Sequence, residues 1–134
     1  MTSETEVSLT LLARQREEAD DLLLAGICEM EALLKDLNLG LVLTVKVPFE
    51  GTLSYKKEAN RWRFMFDNSE FSHAESNVPL INCARHIRVL AIREFPTLLA
   101  AARAALLTTR AAQAQALEAL TTSKAFVKTL LSEK

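Results

Sequence analysis

The chain has 134 residues, enough for one hydrophobic core and short of two, so a single domain over residues 1–134 is expected. Apolar residues at 49% and charged residues at 25% exclude disorder as the default state. A net charge of −1 excludes a general attraction to nucleic acid or to an anionic membrane surface.

The charge is unevenly placed. Residues 1–50 hold four Lys/Arg against ten Asp/Glu, residues 51–110 nine against five, and the remainder three against two. An acidic first part and a basic middle either neutralise one another or present two different surfaces. Cys28 and Cys83 belong to no CxxC pair, which argues against a disulfide framework or a zinc knuckle and for a reducing compartment. The opening MTSETEVSL lacks the basic and apolar segments of a signal peptide, and the longest apolar run, Leu22 to Cys28, is well short of the roughly twenty residues that span a bilayer. A cytoplasmic protein without a membrane segment is expected.

In chain order, Ser3 with Glu6 fits a capping box, and Leu9, Leu12, Ala19, Leu23, Ile27, Met30, Leu34 and Leu37 then recur at helical spacing. Asn38 and Gly40 suit the left-handed turn that ends this first helix. The period next changes to two: Leu41, Leu43, Val45 and Val47 form one face of a strand, and Pro48-Phe49-Glu50-Gly51 makes a turn. Leu53 and Tyr55 continue the face on a second strand, Glu58-Ala59-Asn60 is a short hairpin loop, and Trp62, Phe64 and Phe66 line a third. Trp62 is expected in the core. Residues 67–78 read as a polar loop, and Pro79 opens a second helix that is apolar on more than one side.

From Pro96 to the last residue the chain contains neither proline nor glycine, and one alanine-rich helix of over thirty residues is predicted. Its main stripe is Leu98, Leu99, Ala102, Leu106, Ala116, Leu117, Leu120, Val127 and Leu131, interrupted by Thr109, Gln113 and Lys124. The reverse face, Ala104, Leu107, Ala111, Ala114 and Glu118, carries few charges, and its small side chains let another helix approach closely.

Candidate chemistry is sparse. His86 follows Cys83 by three residues, which makes them neighbours on a helix, but two ligands are too few for zinc. His73 lies in the polar loop with Asp67, Glu70 and Glu75, in no ligand spacing. Glu17, Glu18, Asp20 and Asp21 belong to a solvated helix surface and lack the glycine turn of a calcium loop. No GxSxG, phosphate loop, HExxH or paired catalytic carboxylates occur, so no catalysis, cofactor or metal is expected. Lys56, Lys57, Arg61 and Arg63, with Tyr55 and Trp62 among them, form the alternative nucleic-acid surface; the alternation turns the aromatics inward, away from bases, and the cations outward.

The expected fold is therefore α+β: a long N-terminal helix, a three-stranded antiparallel β-meander and two C-terminal helices packed on one face of the sheet. The expected function is binding of a protein partner, in the manner of an adaptor, chaperone or regulator, with homodimerisation through the long helices at Leu99, Leu106, Leu107, Leu120, Val127 and Leu131. The order helix, three strands, helix resembles the first part of class I type III secretion chaperones, a family of small acidic dimers. That resemblance implies dimeric protein binding, and it ends where this chain finishes in a long helix instead of returning to strands.

Overall fold

A computed structural model of the chain describes residues 2–68 and 77–133, with side chains from Ser8 onward. Helix α1 covers Thr2–Leu37; strands β1 Leu43–Val47, β2 Gly51–Glu58, β3 Arg61–Asp67 and β4 Val78–Pro79 follow. A 3-10 turn at Leu80–Asn82 leads to helices α2, Arg85–Ile92, and α3, Phe95–Ser132. The fold is α+β, and its antiparallel sheet has the order β1-β2-β3-β4. The chain forms two compact units, Met1–Leu98 and Leu99–Lys134.

The expected three-stranded meander is thus a four-stranded sheet. Pro79, expected to open a helix, lies in β4 opposite Met65, with Val78 opposite Phe66. Proline suits that edge because its missing N–H ends the ladder there. The second helix begins only at Arg85, after the Cys83 N–H closes the 3-10 turn on the Leu80 carbonyl at 3.1 Å. Arg88 Nη1 fastens the junction by donating to the carbonyl oxygens of Cys83, at 2.9 Å, and Ile81, at 3.4 Å. His73, Glu70 and Glu75, and the side chains of the Ser3/Glu6 capping box, lie outside the described residues.

The period-two pattern sets the sheet's apolar face. Leu43 pairs with Tyr55 and Tyr55 with Phe64, while Val45 pairs with Leu53 and Leu53 with Phe66. All of these except the half-buried Val45 are core residues. Trp62, expected in the core, is only half-buried at its rim, stacked on Tyr55 with centroids 5.3 Å apart. It stands opposite Lys57, near the end of the hairpin, where the core has run out.

Helix α1 runs against β3, the 3-10 turn and α2. Ile27, Glu31 and Leu34 are buried and Asp20, Leu23, Leu24 and Met30 half-buried, a spacing of three and four that defines one face. Leu9, Leu12 and Ala19 of the expected stripe are exposed because the packed part of α1 runs only from Asp20 to Leu34, and Leu37, at the helix end beyond it, is exposed as well. Arg85 Nε lies 3.4 Å from Asp20 Oδ2 and links α2 to α1. Ile87 and Ala91 of α2 are buried, and Phe95 at the start of α3 stacks on Phe64 at 4.6 Å.

Glu31 is the buried charged residue of this core, and sheet geometry explains it. β4 stops opposite Met65, one residue short of Phe64, so the Phe64 N–H has no strand partner on that side. Glu31 Oε2 accepts it at 2.7 Å. The carboxylate closes the sheet edge where the strand is missing, a charge-assisted bond that offsets the cost of burial.

Two turns carry backbone strain. Val47 to Glu50 close a type II turn, with the Glu50 N–H on the Val47 carbonyl at 3.0 Å, and place Phe49 at φ 64 with 90% of its surface exposed. Gly51 follows at φ 154, where a Cβ would strike the Asp67 carbonyl and approach the Phe66 ring to 2.8 Å. The β2–β3 hairpin turns on Ala59 and Asn60, at φ 51 and 65, a two-residue turn that favours Asn or Gly.

Two measurements follow from this geometry. Ala59→Asn removes a left-handed alanine without loosening the unfolded chain and is expected to raise the unfolding free energy by about 0.5–1 kcal/mol, read as a higher urea midpoint; an unchanged or lower midpoint would contradict the turn assignment. Burial, and next the Glu31 carboxylate, push the Tyr55 phenol above its ordinary value of 10.0. The folded state therefore holds the proton more tightly than the unfolded, and stability is full below pH 10 and falls as pH rises through the folded value. Tyrosinate absorbance of this single tyrosine is expected to titrate above 10.0 in the native protein and to move down, without reaching 10.0, in Glu31→Gln.

Candidate interaction surface

Helix α3 is built from strong helix formers after Pro96, which suits a first turn. Its buried residues are Phe95, Leu98 and Ala102. Beyond Ala102 every described residue to Glu133 is exposed, except the half-buried Ala105. The face begun by Leu98 and Ala102 nonetheless stays apolar or small, continuing as Leu106, Thr109, Ala116, Leu120, Val127 and Leu130 at steps of three, four and seven. Leu120 and Val127 are each 50% exposed.

Thr109 fits this face better than its hydroxyl suggests. Its Oγ1 donates to the Ala105 carbonyl at 3.0 Å, leaving the methyl to point outward; Thr108, Thr121 and Thr129 make the same bond one turn back. Gln113 remains the polar interruption at the middle of the row.

All six expected interface residues, Leu99, Leu106, Leu107, Leu120, Val127 and Leu131, are exposed. They do not share one face. Leu107 lies about 100° around the helix from Leu106 and so falls outside the seam. Leu130, absent from the expected set, belongs to it: it follows Val127 by three residues, a heptad step that a strict 3.6-residue stripe passes over in favour of Leu131. Leu9, Leu11 and Leu12 on the exposed first half of α1 are a second, shorter apolar stretch.

The basic hairpin does not assemble as expected. Register places Lys56 with Arg63 and Glu58 with Arg61 on one sheet face, while Lys57 stands opposite Trp62 on the other. Lys57 continues the odd-numbered row of Leu53 and Tyr55, so the outward placement expected of it is incorrect. Lys56 Nζ donates to Asn77 Oδ1 at 2.7 Å, and Arg63 is half-buried with its Nε enclosed. Arg61 and Lys57 are the exposed cations of the four.

Cys83 and His86 line a cleft of about 320 Å³ with Glu50, Asn68 and Asn82. The thiol donates to the Pro79 carbonyl at 3.5 Å and His86 is exposed. Cys28 is exposed on α1. Among the described residues no group of three His, Cys, Asp or Glu side chains is arranged to hold a metal ion, and no helix is long and apolar enough to cross a membrane. No family model, curated protein or solved structure matches this chain.

Proposed function

We propose that this is a non-catalytic protein-binding protein, adaptor-like or chaperone-like, that self-associates through α3. The observation that supports this reading is the exposed seam of Leu106, Leu120, Val127 and Leu130 on a helix whose described residues beyond Ala102 are almost all exposed. An isolated helix is marginal in water, and helices in proteins draw most of their stability from a packed apolar face. An apolar stripe of this length on a folded chain marks an interaction site.

Light scattering after size exclusion, over about a hundredfold range of concentration, tests the proposal, because association shifts with protein concentration while an intramolecular cover does not. A mass of twice the chain is expected at the upper end. Leu120→Asp with Val127→Asp is expected to return the protein to monomer without loss of fold, since both side chains are half exposed in the chain and their burial as charges in an interface is costly. Lys56→Glu is expected to leave the mass unchanged. A monomer at every concentration contradicts the reading. Salt-sensitive binding of single-stranded nucleic acid, lost in Lys56→Glu with Arg61→Glu, would replace it with the alternative.

A further inference from the structure

Resting on the self-association reading, we propose that the α3 seam is covered by the same seam of a second copy, running antiparallel about a two-fold axis between Gln113 and Ala116. The order of side-chain sizes along the helix carries the proposal. With a seven-residue period the seam consists of two rows: Leu99, Leu106, Gln113, Leu120 and Val127 in one, and Ala102, Thr109, Ala116, Ser123 and Leu130 in the other. From Ala102 to Ser123 the second row holds only small residues.

Two parallel copies in register would set each residue against itself. Leu106 would meet Leu106 and Leu120 meet Leu120, while Thr109, Ala116 and Ser123 would meet their own kind. Helix axes lie at a nearly constant separation of about 8–10 Å, so large-on-large layers would hold the helices apart and leave voids at each small-on-small layer between them. Antiparallel copies remove the conflict. Leu106 then faces the partner's Ser123, the partner's Leu120 faces Thr109, and Gln113 faces the partner's Ala116, with the same three layers repeated across the axis. Every layer in this stretch pairs one large residue with one small one, so the helices approach uniformly and closely. The Thr109 hydroxyl, already bonded to Ala105, brings no unmet polar group into the seam. The two Gln113 side chains flank the axis in adjacent layers, where each amide can meet the other; a polar residue at one such position fixes register.

The area is sufficient. An axis between Gln113 and Ala116 overlaps the exposed stretch from Arg103 to Phe126, about 36 Å of helix. Half the lateral surface of a helix about 11 Å across is then about 600 Å² a copy, or about 1,200 Å² in all, the lower end of stable interfaces. This interface needs no rearrangement of the chain, because Leu106, Thr109, Gln113, Ala116, Leu120 and Ser123 are all exposed.

Disulfide trapping on the full chain decides the orientation. Leu106→Cys and Ser123→Cys, each combined with Cys28→Ser because Cys28 is exposed, are mixed as separate proteins, oxidised mildly and analysed by peptide mass. Facing Cα atoms within about 4.4–6.8 Å form the bond readily. The expected product is the mixed 106–123 disulfide, in excess over either symmetric one. Symmetric 106–106 and 123–123 disulfides in place of the mixed one would overturn the antiparallel arrangement and leave self-association standing. A dimeric mass with no disulfide at either position would remove this seam from the interface and overturn the proposal alone; a monomeric mass throughout overturns both. As a second readout, Ser123→Leu sets leucine against the partner's Leu106 twice per dimer and is expected to weaken dimerisation about tenfold or more, whereas a parallel or loosely packed seam would be tightened by the added methyl groups.

Discussion

Phe64 is the residue on which the first unit converges. Its N–H is taken by the buried Glu31 carboxylate of α1, its ring packs on Tyr55 of β2 at 5.4 Å, and its other neighbour is Phe95 at the start of α3, at 4.6 Å. Three elements are therefore fixed by one position in β3. The reason lies in the shortness of β4: a longer fourth strand would supply an acceptor for Phe64 and leave Glu31 with no purpose in the core. Because β4 ends in Pro79, the sheet edge falls to α1, and the carboxylate that closes it ties the helix to the strand. Glu31 Oε1 has no hydrogen-bond partner among the described residues, so the bond through Oε2 carries the group's satisfaction alone.

The second unit follows a different rule. The buried residues of α3 end at Ala102, yet the helix continues to Ser132 with its apolar rows intact. Nothing local ends it, since alanine, leucine and lysine propagate a helix and no glycine or proline intervenes. Propensity maintains the backbone, but the placement of leucine and valine at heptad steps goes beyond what propensity requires. The proposed pairing of two copies gives Leu106 and Leu120 a cover and gives the small row its use: small residues let the second helix come close, and large ones fill the space between.

Much of the sheet was legible because alternation is a strong signal. Leu43, Val47, Leu53, Tyr55, Phe64 and Phe66 were identifiable as the inward set from spacing alone, and the structure buries them. What escaped has a physical cause in each case. β4 is two residues long and one of them is proline, so it has no period to detect. Glu31 sits at the correct helical spacing from Ile27 and Leu34, and its charge hid it; the available signal was a carboxylate on an otherwise apolar stripe. Trp62 shares the inward row but lies past the end of the core. Lys57 shares that row as well, and its charge suggested the wrong face. The seam of α3 was partly legible as a stripe, though a heptad spacing selects Leu130 where a strict 3.6-residue stripe selects Leu131.

Amide hydrogen exchange followed segment by segment at low and high protein concentration tests the account most directly, since it separates cover supplied within the chain from cover supplied by a second one. The Phe64 amide, bonded to Glu31 inside the core, is predicted to be strongly protected at both concentrations. Amides from Leu106 to Ser123 are predicted to exchange readily when dilute and to gain protection as concentration rises. Protection of that stretch which is independent of concentration, or its absence at every concentration, would contradict the account.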